Sequence, residues 1–378
     1  MLESLVMLRL RRVCALTVLV VAVCLAGAPA ARQDDGRLSD AAFAALVPSL
    51  SEKGGTFLSE NFVSNERRYL EALDDLRART RPNVPSGPSG VYIGVGPDQN
   101  FSYIVALQPS LAFVVDIRRQ NLVEHLFYKM AFEASANRAD FLSYIFSRPR
   151  PPTLRADADI TEQLKAYLSV PYAISLMKAH SSDAISKLHA RFAPMLEKDD
   201  DGTLRHIFEA FGTSGPLLTY QGEVPIAKSH MARYWPTIGT MMTATDADGR
   251  QRSYMATEKN FLAMKAMEER NLVVPVVGNF GGPKAVRAVG DYIRSRHQTV
   301  MAFYLSNVEQ YLFQGGPWKQ FYDNAATLPL DDSSTFIRFW AEVLQPDTPI
   351  SLVSMKPFLE AYAAGKIKNY GDVGKFPR

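Results

Sequence analysis

The chain has 378 residues, of which 47% are hydrophobic and 21% charged, with a formal net charge of +3 and two cysteines. That is enough apolar material for one elaborated domain or two modest ones, and so even a charge balance offers no basis for a nucleic-acid or polybasic membrane partner. Both cysteines, Cys14 and Cys24, lie within the first thirty residues, so the rest of the chain has no disulfide, thiolate nucleophile or cysteine metal site.

Residues 1–30 read as an export signal. Arg9, Arg11 and Arg12 precede an apolar run over 13–26, and Ala28-Pro29-Ala30 supplies the small residues a signal peptidase reads. The run falls short of the ~20 residues a spanning helix needs, so the expectation is a cleaved leader and a periplasmic or secreted body without a membrane span. Residues 31–90 form a polar lead-in and linker. An apolar stretch over 41–46 and the spacing of Phe62, Tyr69, Leu70, Leu73 and Leu76 predict helix, with Ser64-Asn65-Glu66 as a helix cap. Prolines and glycines from Pro82 to Gly90 then break the pattern.

Residues 91–150 carry the most organised signal. A short apolar strand over 91–95 leads to Gly94 and Gly96, a helix is expected over 99–107 with Pro109 as its stop, and a wholly apolar strand over 111–115 ends in Asp116. Such an arrangement presents N–H groups at a helix start and a carboxylate on the neighbouring strand, the elements of a nucleotide-type site. The third glycine of the dinucleotide fingerprint is replaced by Gln99, which argues against NAD or FAD. One amphipathic helix is expected over 117–146, ended by the prolines at 149, 151 and 152.

Residues 151–259 read as a helical insertion or cap, with helices over 160–167 and 183–193. The acidic turn at 199–202 lacks the spacing of a calcium loop and is expected to be a solvated helix–helix turn. The six histidines, His125, His180, His189, His206, His230 and His297, form no HxH or HExxH group, so no metal site is predicted. Residues 260–378 resume the strand–helix alternation. A strand over 272–277 contains Pro275, which points to an edge or a bulge. A second glycine turn at 278–282, Pro283, a helix over 285–295 and a strand over 299–305 ending at Ser306-Asn307 follow. A further strand over 334–340 and a closing helix over 357–364 complete the chain.

The succession of strand, GxG turn, helix and acid-ended strand resembles the first half of class I S-adenosylmethionine-dependent methyltransferases. The strings GVGPDQNFSYI, FVVDIRRQN, NLVVPVVGNFGGPKAVRAVG and FYLSNVEQYL are similar to those of uncharacterised bacterial proteins with such a core, over roughly residues 62–313. The resemblance implies an α/β, Rossmann-like, mostly parallel sheet with helices on both faces and a helical insertion. It also implies S-adenosylmethionine as cofactor and a small-molecule ligand as partner, with the methyl acceptor left open. Gly94, Gly96, Asp98, Asn100, Asp116, Arg118 and Asn279 are expected to hold the cofactor, Asp116 through its ribose, with Ser306 and Asn307 toward the substrate and Glu309 as general base. The alternative expectation is a non-catalytic module of the cell envelope that keeps the cleft for a small polar ligand. A hydrolase working through Ser306 is disfavoured, because no histidine accompanies it and FYLSNVE is not a GxSxG elbow.

Overall fold

A computed structural model describes residues 36–80, 90–155, 157–220, 235–340 and 347–377. The expected leader with both cysteines, most of the proline–glycine linker and His230 lie outside these residues. Leu38–Arg378 forms one compact unit.

Among the described residues, six strands make a single sheet in the order β3-β2-β1-β4-β5-β6. They are β1 (Val91–Gly94), β2 (Leu111–Asp116), β3 (Val273–Val277), β4 (Val300–Ser306), β5 (Leu330–Phe339) and β6 (Ile350–Ser354). The first five in that order run parallel, and β6 returns antiparallel to β5. Every residue of β1, β2 and β3 is buried, which is what continuous apolar runs produce when both faces of a parallel sheet are covered. β3 lies at the sheet edge, where Pro275 costs no ladder bond on its open side.

Helix Gln99–Leu107 follows the first glycine turn and ends with Gln108 in the left-handed region, φ 50°, immediately before Pro109. The single helix expected over 117–146 is instead two, Arg119–Ala134 and Arg138–Phe146. Asn137 starts the second by accepting the Asp140 N–H at 3.0 Å, a cap that competes with continuing the first helix. Nor is Arg119–Ala134 amphipathic in practice, since all residues from 121 to 132 are buried. It is sandwiched between the sheet and the helices Arg138–Phe146, Asp200–Ser214 and Glu258–Glu269. The insertion is thus an outer layer packed on this central helix. Its acidic turn is also not a free loop: Asp200 opens a helix and accepts two bonds from the Arg119 guanidinium, at 2.6 and 3.1 Å.

The lead-in departs most from expectation. Ser39 caps helix Asp40–Leu50, but residues 51–72 contain no long helix and the next one is only Leu73–Thr80. The segment 51–65 crosses the C-terminal edge of the sheet and is pinned there. Glu52 N–H donates to Val277 O at 2.9 Å and Gly55 N–H to Ile117 O at 2.8 Å, while Arg118 donates to Glu60 O. At Gly55 a Cβ would lie 2.8 Å from the Ile117 side chain, so glycine permits this close passage.

Candidate functional site

The C-terminal edge of the sheet opens into a cavity of ≈ 410 Å³. Its floor is the strand ends: Val95 and Gly96 after β1, Asp116 and Arg118 at β2, Gly278 and Asn279 after β3, Ser306 and Asn307 at β4. The segment 51–65 contributes Phe57, Asn61, Ser64 and Asn65 as one wall, and Tyr220 and Tyr311 add aromatic surface. Phe57 and Tyr311 meet edge to face with centroids 5.1 Å apart, an arrangement that aromatic quadrupoles favour. The cavity therefore combines apolar and aromatic side chains with polar groups at the strand ends, the usual composition of a small-molecule site.

The first glycine turn has two sides. Gly96, at φ 79°, faces the cavity, and its carbonyl accepts a bond from His125 Nε2 at 3.0 Å. Burial pulls the His125 pKa down to about 4, so the ring is neutral and donates. On the reverse side, a Cβ at Gly94 would fall 2.0 Å from Asn100 Oδ1. Asn100 donates through Nδ2 to the carbonyls of Val95 at 2.9 Å and Pro97 at 2.7 Å, and accepts from Tyr92 Oη at 2.8 Å. It braces the turn from beneath. Asp98 is likewise internal, accepting from Tyr254 Oη at 3.0 Å, with burial pushing its pKa up to about 7. Gly94, Asp98 and Asn100, all expected to touch a cofactor, instead shape the loop that does face the cavity.

Asp116 and Arg118 both reach the cavity but engage each other. Asp116 Oδ1 accepts the Arg118 backbone N–H at 2.9 Å and Nε at 3.0 Å, and Oδ2 accepts Nη2 at 2.8 Å. A carboxylate offers about four lone-pair sites, so three are used and one on Oδ2 is left. Their side chains are only 7% and 6% exposed.

Asn279 lines the cavity with its Oδ1 folded onto Gly281 N–H at 2.9 Å. The second glycine turn does not present a free helix start. Glu52 Oε1 accepts the Asn279 N–H at 2.9 Å and Oε2 accepts the N–H groups of Lys284 and Ala285 at 2.9 and 3.2 Å. A carboxylate from the protein itself therefore occupies the anion-binding start of helix Ala285–Ser295.

Ser306 and Asn307 line the cavity as expected, but Glu309 does not. Its carboxylate is 3% exposed, ion-paired with buried Arg338 Nε at 3.0 Å and accepting from Tyr322 Oη at 2.7 Å. One helical turn past β4 carries it into the interior beside Phe336 and Phe358, whose rings flank Arg338. A different acid stands behind the serine. Glu66, fully buried, accepts from Ser306 Oγ and from Tyr304 Oη, the latter at 2.5 Å. Ser64 does not cap a helix: its Oγ accepts the Glu66 N–H at 3.2 Å in a local turn, and Ser64 and Asn65 face the cavity. The 240 positions that separate Glu66 from Ser306 hid this meeting from a reading of the sequence. Asn61, Gln99, Tyr220 and Tyr311 likewise gave no sequence signal.

Away from the cavity, Asp74, Asp246 and Asp248 converge closely enough to hold a cation. Arg250 and Arg252 already pair with them at 2.6 to 3.0 Å.

No curated protein matches the chain. Residues 62–166 and 189–349, more than half of the chain and including Glu66, Asp116, Arg118, Asn279 and Ser306, match one family model. The chain belongs to the family described as a domain of unknown function, DUF7790.

Proposed function

We propose that this protein binds S-adenosylmethionine, or a related nucleoside-type ligand, in the cavity at the C-terminal edge of the sheet, as an exported methyltransferase-like protein. The observation that carries the reading is the convergence there of Gly96, Asp116, Asn279 and Ser306-Asn307 from four strand ends. The strand order 3-2-1-4-5-6 is that of nucleotide-binding α/β sheets, with the reversal of β6 as a departure, and it puts the switch point between β1 and β4. The cavity volume, ≈ 410 Å³, falls in the roughly 300–1,000 Å³ range of ligand sites.

The residues fit such a ligand in part. Gly96 allows close approach to the backbone, and the unused lone pair on Asp116 Oδ2 can take one ribose hydroxyl. Receiving both hydroxyls requires Arg118 to release part of its hold. The bound ligand would supply an electrophilic methyl group; the chain's own residues orient it and exclude water through Phe57, Tyr220 and Tyr311. Thermal denaturation tests the reading. Saturating S-adenosylmethionine or its demethylated product raises Tm by several degrees, as ligand at about 100 Kd adds ~2.7 kcal/mol; no shift with either compound contradicts it.

The absence of Glu309 from the cavity favours a second reading, a non-catalytic module that keeps the cavity for a nucleoside-like or other small polar ligand. Binding of neither compound sinks the methyltransferase-like reading, whereas binding without methyl transfer to any acceptor selects the second.

A further inference from the structure

Ser306 combines three features that no assigned role explains. It is the last residue of β4 and lines the cavity. Its backbone sits at φ 51°, the left-handed region that a non-glycine residue adopts at a cost. Its hydroxyl donates to a carboxylate with no exposed surface, Glu66, whose other oxygen accepts from Tyr304. An exposed serine would bond to water, and a structural serine at a strand end usually bonds to nearby backbone. Here a hydroxyl at the ligand surface is wired to an internal acid by a direct hydrogen bond, the arrangement by which a buried group moves a proton to or from a ligand.

We propose that Glu66 is the base of this cavity and that Ser306 is the hydroxyl through which it acts. The Ser306 proton passes to Glu66 Oε1, which becomes a carboxylic acid. Ser306 Oγ takes the proton of a bound O–H or N–H group in its place, leaving that group with a free lone pair for reaction. This rests on the ligand site proposed above and specifies its acceptor: a group with an exchangeable proton, in contrast to a thioether or tertiary amine that has none to give. The role expected of Glu309 thus falls to an acid from the lead-in.

The environment of Glu66 supports a proton-accepting role. Burial pushes its pKa up to about 7, against the two donated bonds that act to lower it. The titratable groups that face it are the phenols of Tyr92 on β1, Tyr103 on the helix Gln99–Leu107 and Tyr304 on β4, each pushed well above its usual value by its own burial. None of the three ionises near neutrality, so within this cluster the titrating group is Glu66.

A fluorophosphonate probe tests the pair without any cofactor or acceptor. Attack by Ser306 Oγ forms the O–P bond and breaks P–F; fluoride leaves with the bonding electrons and the serine proton goes to Glu66. With the full chain, mass spectrometry should find the label on Ser306, at a rate that rises with pH about a midpoint near 7. Glu66→Gln should slow labelling at least about tenfold, ~1.4 kcal/mol of activation, and Ser306→Ala should remove it. Tyr304→Phe removes a bond that lowers the Glu66 pKa and so moves the midpoint to higher pH, an effect that simple disruption of the fold does not produce. Failure of Ser306 to label above the exposed serines, or labelling at an equal rate in folded Glu66→Gln, overturns the proposal. Since the probe needs no S-adenosylmethionine, a failed thermal shift with that ligand and a failed labelling are separate results.

Discussion

Asp116 shows how one side chain serves packing and site at once. The three bonds it accepts from Arg118 fix the end of β2 against the crossing segment through Glu60. Both side chains are almost fully buried, so neither can be removed alone without leaving an unpaired internal charge. Arg118→Ala should therefore cost about 3–5 kcal/mol of stability, read from urea unfolding, whereas a loss below ~1 kcal/mol would show that water replaces the guanidinium. Gly94 makes a comparable point about the glycine turn. A Cβ there meets Asn100 Oδ1 at 2.0 Å and the Tyr92 ring at 2.8 Å, and Asn100 cannot yield without dropping its bonds to three loop carbonyls. Gly94→Ala should lose roughly 1–3 kcal/mol and deform the loop; a variant as stable as the parent would contradict the bracing role assigned to Asn100.

The segment 51–65 supplies a wall of the cavity although it precedes the sheet in sequence. Glu52 is its clasp: the Lys284 and Ala285 N–H groups at the start of helix Ala285–Ser295, and the Asn279 N–H in the turn before it, donate to that carboxylate. A cap of this kind is worth about 0.5–2 kcal/mol, so Glu52→Ala should lower stability by that amount. It should also speed hydrogen exchange at Lys284 and Ala285, and unchanged protection there would refute the clasp. Sequence patterns could show neither this nor the meeting of Glu66 with Ser306, because periodicity reports neighbours within an element and says nothing about a chain crossing a sheet edge. Periodicity succeeded where the signal is local. The helices Gln99–Leu107 and Ala285–Ser295 and the buried strands β1 to β4 stand where the apolar runs and glycine turns put them. It failed over 117–146, where Asn137 breaks one apolar pattern into two helices, and over 62–72, where the chain runs in turns and bends despite helical spacing before helix Leu73–Thr80 begins.

At the scale of the whole molecule, the number of buried acids sets the pH response. Burial pushes Glu66 and Asp98 up to about 7 and Glu268 to about 8. Each holds in the folded state a proton that the unfolded chain releases near its ordinary value, so stability falls as pH rises toward and through these folded pKa values. His125, held neutral by burial with its pKa near 4, opposes this only below its ordinary value of 6.5. Between pH 6.5 and 8 the acids act alone, and Tm should drop by about 2–5 °C. Glu66→Gln should flatten that slope, and a Tm that rises over the window would contradict the burial of these groups as neutral acids. The α/β class was legible in the chain because strands buried on both faces need continuous apolar residues, and so was the clustering of polar strand ends that now line the cavity. The internal acids were not, since Glu66, Asp98 and Glu268 look like any surface glutamate or aspartate until the fold encloses them.

The central claim is that the cavity takes a nucleoside-type ligand with Asp116 at its ribose. Calorimetric titration of S-adenosylmethionine into the parent protein and into Asp116→Asn, which keeps an oxygen for Arg118, tests it most directly. One-to-one binding to the parent is expected, with an affinity at least about tenfold weaker in the variant, ~1.4 kcal/mol. Equal affinities, or no heat with either protein, would contradict it.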